Sequence, residues 1–283
     1  MPPTAATKRQ GTQPPPAGTP NLPGQGSARG ITLEMVLWVS VGCLALALRM
    51  AGLGRAPLSA AEAQEAMASW DAVHAGARTA SGYTPLLFVL NSALFAVCGA
   101  SDALARLGPA LCGTLLVLSP LAFRRQLGRL GALIAGAILA LSPTAIVASR
   151  QLNGTVFAVT GATLALAEFL RYRAAGQRRH LLAAAGAAAL ALSTGGDAIT
   201  PFVSILPAGA VVLLIWPDAL ERSWSARLRS DLRGAWLVLA GILAALVAGL
   251  GWHPAGLGAL GDSLAHWPAR FRSGGSAVVS PLG

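Results

Sequence analysis

LSAAEAQEAMASWDAVHAG, Leu58 to Gly76, is the stretch on which the reading of this chain turns. It lies between two apolar runs of membrane length, yet it carries Glu62, Glu65, Asp71 and His74, four of the chain's fifteen Asp, Glu and His residues. From Ala60 to Val73 it contains no Gly or Pro and much Ala, which predicts a helix. On a helix Glu62 and Glu65 are three apart and share a face with Ser69, while Asp71 and His74 form a second pair three apart. Any chemistry in this chain is expected here. For Asp71 and His74 the plainer reading is a solvated face of an interfacial helix.

Working outward, composition sets the class. Across 283 residues, 54% are hydrophobic and only 11% charged, which excludes an ordinary soluble domain and points to a membrane protein. The apolar residues are mostly Ala, Leu, Val and Gly, suited to helices that approach closely within lipid. The net charge of +10 would suggest nucleic acid on a soluble protein. Here the arginines fall in short pieces between apolar runs, so the charge reads as topology and no nucleic-acid partner is expected. Cys43, Cys98 and Cys112 sit inside apolar runs without metal-ligand or paired spacing, and read as inert thiols.

In chain order, residues 1–30 are rich in Pro, Gly, Thr and Gln and predict a disordered cytoplasmic tail. Ile31 to Leu48 is the first transmembrane helix, amino terminus inside, with Glu34 near its start and Arg49 at its end. After the Glu-rich stretch come apolar runs from Pro85 to Ala100 and, past Ser101, Asp102 and Arg106, on to Phe123. Arg124 to Arg129 reads as a basic loop, Leu130 to Ala148 as a span, and Ser149 to Thr155 as a polar turn. Val156 to Leu170 spans again, followed by the basic loop Arg171 to His180. The run Leu181 to Leu192 is interrupted at STGGDAITP, Ser193 to Pro201, and a break at that depth must line a cavity or reach an interface. That makes Asp197 a candidate functional residue. Phe202 to Trp216 spans, Asp218 to Arg233 is an amphipathic piece, and Gly234 to Gly251 makes the last span.

The expected fold is therefore all-α: a polytopic integral membrane helical bundle of about seven or eight spans. Its expected parts are the tail 1–30, a transmembrane domain 31–252 with a functional extracytoplasmic loop at 50–83, and an extracytoplasmic loop or truncated end at 253–283. One conflict arises. If Leu58–Gly76 is outside and both basic loops are inside, residues 84–123 must cross an odd number of times, although they contain two apolar segments. The favoured resolution makes one of the two interfacial or re-entrant.

The order of these pieces resembles the GT-C membrane glycosyltransferases of the protein O-mannosyltransferase and aminoarabinose-transferase type, most of all their flippase-activity-associated branch. The pieces are AEA at Ala61 to Ala63, YTPLLFVLNSALFAVCGASDALARLGPALCG at Tyr83 to Gly113, RRQLGRLGALIAGAILALSP at Arg124 to Pro143, SRQLNGT at Ser149 to Thr155, and GLGALGDSLAHWPARFRSGG at Gly256 to Gly275. The resemblance implies transfer of a sugar from a polyprenyl-phosphate carrier to an extracytoplasmic acceptor, with membrane lipid around the enzyme. It implies a carboxylate base in the first outer loop, for which Glu62 and Glu65 are the candidates, and cations for the carrier phosphate, for which Arg106 and Arg150 are the candidates. Asp197 and His74 are added as substrate-binding candidates, and acidic groups in some members hold a divalent metal. The chain departs from the pattern at Ala61, where the family has Asp, at Glu65, where the branch has His, and at Thr155, where an acid is expected. Family members continue with further spans, so a truncated product is expected, which leaves the acceptor-binding half in question.

Two other classes compete. A catalytically degenerate scaffold that assists a partner membrane protein is motivated by Ala61 and Thr155. A transporter rests only on the interrupted run at Gly195 to Pro201, and no matching interruption in a second half supports it.

Overall fold

The computed structural model describes residues 33–74, 84–205 and 222–248, and every regular element among them is helical. In order they are α1 (Leu33–Met50), α2 (Ala60–His74), α3 (Pro85–Cys98), the single turn α4 (Asp102–Ala105), α5 (Leu107–Leu118), a 3₁₀ turn (Ser119–Phe123), α6 (Arg124–Leu141), α7 (Pro143–Arg150), α8 (Thr155–Ala175), α9 (Arg178–Leu192), a second 3₁₀ turn (Gly195–Ala198), α10 (199–205) and α11 (Arg222–Val247). The expectations for residues 1–30 and 253–283 lie outside the described residues.

α1 sets the frame. Eighteen mostly apolar residues at ~1.5 Å each give a rod of about 27 Å, close to a hydrocarbon core. Glu34 in its first turn and Arg49 in its last oppose the helix dipole favourably. Arg124 donates to Glu34 at 2.9 Å, so the start of α6 lies at the Glu34 end. Arg106 instead donates to the backbone carbonyls of Leu53 and Ala56, just past the other end of α1. The chain therefore runs from one end to the other once between residues 106 and 124.

α3 stays at one end of α1. Thr84, which precedes it, binds Glu65 of α2, and Phe95 near its far end packs with Ala66, Ala105 and Leu152 in the same cluster. Both ends of α3 thus stay with α2 at the Glu62 end, and residues 84–123 run between the two ends of α1 once. By length and composition Asp102–Leu141 counts as one candidate span, but its contacts fold it into a hairpin. The hinge is the 3₁₀ turn together with Gly128, whose φ of +74° lies in a region that favours glycine. Two helices are long and apolar enough to cross a membrane, or three if the bent pair α7 and α8 is one span, so the described residues do not count out seven or eight.

Other boundaries shift for local reasons. The expected basic loop Arg124–Arg129 is helical on either side of a break at Gly128, and the chain turns between Ser119 and Gly128. The run Leu130–Ala148 breaks at Ser142, whose hydroxyl caps the amide of Ala145 ahead of Pro143. α8 continues to Ala175 and ends on Gly176 at φ +64°, leaving Gly176 and Gln177 as the whole of the connection that was expected to fill Arg171–His180. α11 runs unbroken through Gly234, merging the expected amphipathic piece and last span.

Small residues let the rods touch. α8 and α9 form a close hairpin in which a methyl added at Gly161 would sit 2.9 Å from both the Ala187 carbonyl and the Ala191 Cβ. A methyl at Gly113 of α5 would fall 2.0 Å from the Ser149 Oγ and 3.1 Å from the Arg49 Nε. That contact matters, because Arg49 is fully buried and donates to the Ser149 hydroxyl and to the carbonyls of Ala45 and Leu139. Overpacking a site without slack typically costs ~1–3 kcal/mol. Gly113→Ala should therefore lower the melting temperature of the solubilised protein, whereas Gly241→Ala, with open space around it in α11, should leave it unchanged or raise it.

Candidate functional site

Ser59 and Glu62 open α2 as a capping box. The Glu62 amide approaches the Ser59 hydroxyl at 3.4 Å, and the Ser59 amide donates to Glu62 Oε2 at 2.9 Å. This places the carboxylate beside Arg106, which sits where α4 gives way to α5. The guanidinium grips it with two bonds, Nε to Oε1 at 3.0 Å and Nη2 to Oε2 at 2.8 Å. The Leu152 amide adds a fourth bond, to Oε1 at 2.8 Å.

Counting donors and acceptors shows what this pair is for. Each Glu62 oxygen accepts two bonds. Arg106 has five N–H groups, and its five bonds go to the two Glu62 oxygens and to the carbonyls of Leu53, Ala56 and Pro57. Both side chains are buried, with 7% and 6% exposed. The pair is closed and ties the 51–59 segment, α2, the head of α5 and the turn before α8 into one unit. Burial by itself would raise the Glu62 pKa, but the bonds from Arg106, Leu152 and Ser59 outweigh it and hold the carboxyl at about 2. A carboxylate so saturated is a poor proton acceptor.

Glu65, one turn further along α2, is differently placed. The Thr84 amide donates to both of its oxygens, at 2.9 and 3.0 Å, and the Thr84 hydroxyl donates to Oε1 at 2.8 Å. Burial raises its pKa, the Thr84 bonds oppose this, and the nearby Asp197 carboxylate pushes it up further. Asp197 comes from the 3₁₀ turn after α9 and accepts from the Thr155 hydroxyl at 3.3 Å. Gly154 makes this approach possible, since a methyl there would lie 3.1 Å from Asp197 Oδ2.

Arg150 ends α7 on the other side of the 151–154 turn. It donates to the carbonyls of Leu48 and Gly52 at 3.2 and 3.3 Å, which uses two of its five N–H groups. Arg150, Arg106 and Glu62 line one open cavity of about 260 Å³ together with Gly52, Ala56 and Gln151. Arg106 meets that cavity as part of the closed pair, and Arg150 meets it with donors to spare.

Of the residues expected to form a site, Glu62, Glu65, Arg106, Arg150 and Asp197 gather at this one end of the bundle. His74 does not join them. It stacks on Trp70 with ring centroids 3.5 Å apart and is exposed at the far end of α2. Thr84, Leu152 and Ser59 were missed as site residues, although Ser59-Ala-Ala-Glu62 is a legible capping-box spacing. Among the described residues no three His, Cys, Asp or Glu side chains gather as metal ligands. For the divalent metal raised by the resemblance, the described residues bring Asp197 within electrostatic reach of Glu65.

Residues 83–252, more than half of the chain, match the family model described as dolichyl-phosphate-mannose-protein mannosyltransferase. The chain belongs to this family. It is accordingly a membrane glycosyltransferase of the GT-C type, a class that works with lipid-linked sugar donors among membrane lipids. The matched region contains Arg106, Arg150 and Asp197, while Glu62 and Glu65 precede it. No match was found among curated proteins or among solved structures.

The depressed pKa of Glu62 predicts a pH signature. The clamp's stabilisation is complete above the ordinary Glu value of 4.5 and is lost as pH falls from there towards about 2. The melting-temperature difference between wild type and Glu62→Gln should be largest near neutral pH and shrink across that acid window. A difference that stays constant with pH would show that the Glu62 charge does not stabilise the fold.

Proposed function

We propose that this protein transfers a sugar from a polyprenyl-phosphate carrier to an acceptor hydroxyl, with Arg150 holding the carrier phosphate and Glu65 taking the acceptor proton. The observation that carries the reading is the division of labour within one small region: a closed Glu62–Arg106 pair, and beside it a cation and a carboxylate that keep chemical capacity. Arg150 retains three N–H groups that no described acceptor engages, in a cavity wide enough for a phosphate. Burial, with the Asp197 carboxylate adding to it, raises the Glu65 pKa from its ordinary value against the pull of the Thr84 bonds, a shift in the direction that suits a general base.

The step balances simply. The acceptor oxygen forms a bond to the anomeric carbon as its proton passes to a Glu65 oxygen. The bond from that carbon to the phosphate oxygen breaks, and its electron pair leaves with the carrier phosphate. The added negative charge develops beside Arg150, where a preformed cation stabilises it most. Asp197 and Thr84 position Glu65, Asp197 by its field and Thr84 by its bonds. In this reading Glu62 and Arg106 position rather than react.

A second reading, a degenerate family member acting as scaffold for a partner membrane protein, is favoured by Ala61 and Thr155 standing where the family has acids, and by the saturation of Glu62. Transfer assays separate the two. In membranes containing the full chain and labelled polyprenyl-phosphate sugars, wild type should transfer and Glu65→Gln should lose about 10²- to 10⁴-fold in kcat. Arg150→Gln should raise KM for the donor. The acid limb of the wild-type pH profile should lie above the ordinary carboxylate range, because Glu65 must be ionised to accept a proton. Undiminished transfer by Glu65→Gln would remove it as the base. No transfer by folded wild-type protein would leave the scaffold reading.

A further inference from the structure

The Glu34 end of the bundle carries a second pocket that sugar transfer does not use. Its volume is about 630 Å³, and its lining combines apolar Leu33, Met35 and Leu121 with Glu34, Arg124 and Arg129 over a floor that includes Trp38. It lies about 22 Å along α1 from Arg49, at ~1.5 Å per residue, and so at the opposite membrane face from Arg150. Leu33, Met35, Val36 and Val39 are exposed around it, which puts the mouth of the pocket against lipid.

Two buried polar atoms of residues that line this pocket have no hydrogen-bond partner among the described residues. One is the indole nitrogen of Trp38, a residue only 7% exposed; the other is Glu34 Oε1. A buried donor and a buried acceptor left unpaired each cost ~1–3 kcal/mol, so their pairing with a ligand is favoured. The rest of the polar lining is already arranged. Arg124 and Arg129 both face Glu34 Oε2, at 2.9 and 3.9 Å, and leave Oε1 turned away. Gly136 of α6 keeps Trp38 in place, since a methyl there would lie 2.9 Å from the indole ring.

We propose that this pocket binds a phospholipid whose headgroup carries both a phosphate and a primary ammonium, the chemistry of phosphatidylethanolamine. The phosphate oxygens meet the Arg124 and Arg129 guanidinium groups and accept from the Trp38 N–H. The ammonium donates to Glu34 Oε1, and the acyl chains lie along the exposed apolar face of α1. A bare phosphate fits less well because Glu34 repels it. A choline headgroup has no N–H for Oε1. The carboxylate thus selects among headgroups, and the arginines supply the general attraction for phosphate.

The test uses the full chain reconstituted in nanodiscs of equimolar phosphatidylethanolamine and phosphatidylcholine, followed by transfer to detergent and native mass spectrometry of the retained lipid. Phosphatidylethanolamine should be retained about tenfold over phosphatidylcholine, the equivalent of one charge-assisted hydrogen bond. Glu34→Gln and Trp38→Phe, which keep shape, should each reduce that preference, with an unchanged elution volume showing that they fold. Soluble phosphoethanolamine in excess should not displace the lipid, because the acyl chains contribute to binding. Equal retention of the two lipids by wild type, or a preference unchanged in Glu34→Gln, would overturn the proposal. Full displacement by soluble phosphoethanolamine would overturn its lipid part.

Discussion

The structure depends on one buried ion pair. Glu62 and Arg106 come from segments 44 positions apart, and between them they satisfy backbone groups in two further pieces of chain. A buried pair repays its desolvation only when the remaining donors and acceptors are filled. Here they are filled, by carbonyls of the 51–59 segment and by the amides of Ser59 and Leu152. Those pieces are irregular backbone at the end of a helical bundle, where unsatisfied polar groups would be costly. The pair therefore does for the connecting segments what the helical ladder does for the rods.

That arrangement sets a closed pair beside groups that keep donors or acceptors to spare. A carboxylate held at about 2 and a guanidinium with every proton engaged make a rigid wall. Arg150, at the end of α7, shares a cavity with that wall, while Glu65 comes from the next turn of α2 and Asp197 from the break after α9. The same logic appears within the rods, where Arg49 is buried among neutral acceptors and needs Gly113 beside it for room. The bundle can hold arginine inside because small residues bring carbonyls and hydroxyls within reach.

Much of the fold was legible in the sequence. The apolar runs and the helix at Ala60–Val73 follow from composition and propensity, and the break at Gly195–Gly196 from glycine itself. What was not legible is which runs cross. α3 is as apolar as a span but only 14 residues long, and it is its contacts with α2, not its composition, that keep both its ends at the Glu62 end. The basic clusters Arg124–Arg129 and Arg171–His180 read as loops because charge suggests exposure, yet arginine is a good helix former, and helix takes up most of both clusters, leaving breaks only at Gly128 and at Gly176–Gln177. At the site, sequence picked out carboxylates and arginines that the structure brings to one end of the bundle, His74 apart, but could not rank them. Ranking needs the donor count around each group, and for Glu62 that count rests on Arg106 and on the amide of Leu152, distant in sequence.

The central claim is that Glu62 and Arg106 act as one closed structural unit. A double-mutant cycle on thermal or denaturant stability, with Glu62→Gln, Arg106→Gln and the double variant, tests it most directly. The account predicts that each single change costs about 3–5 kcal/mol and that the double variant costs far less than their sum, because each lone substitution leaves an unpaired buried group. Costs that add to within about 0.5 kcal/mol would contradict it, and would show two residues that stabilise the protein independently.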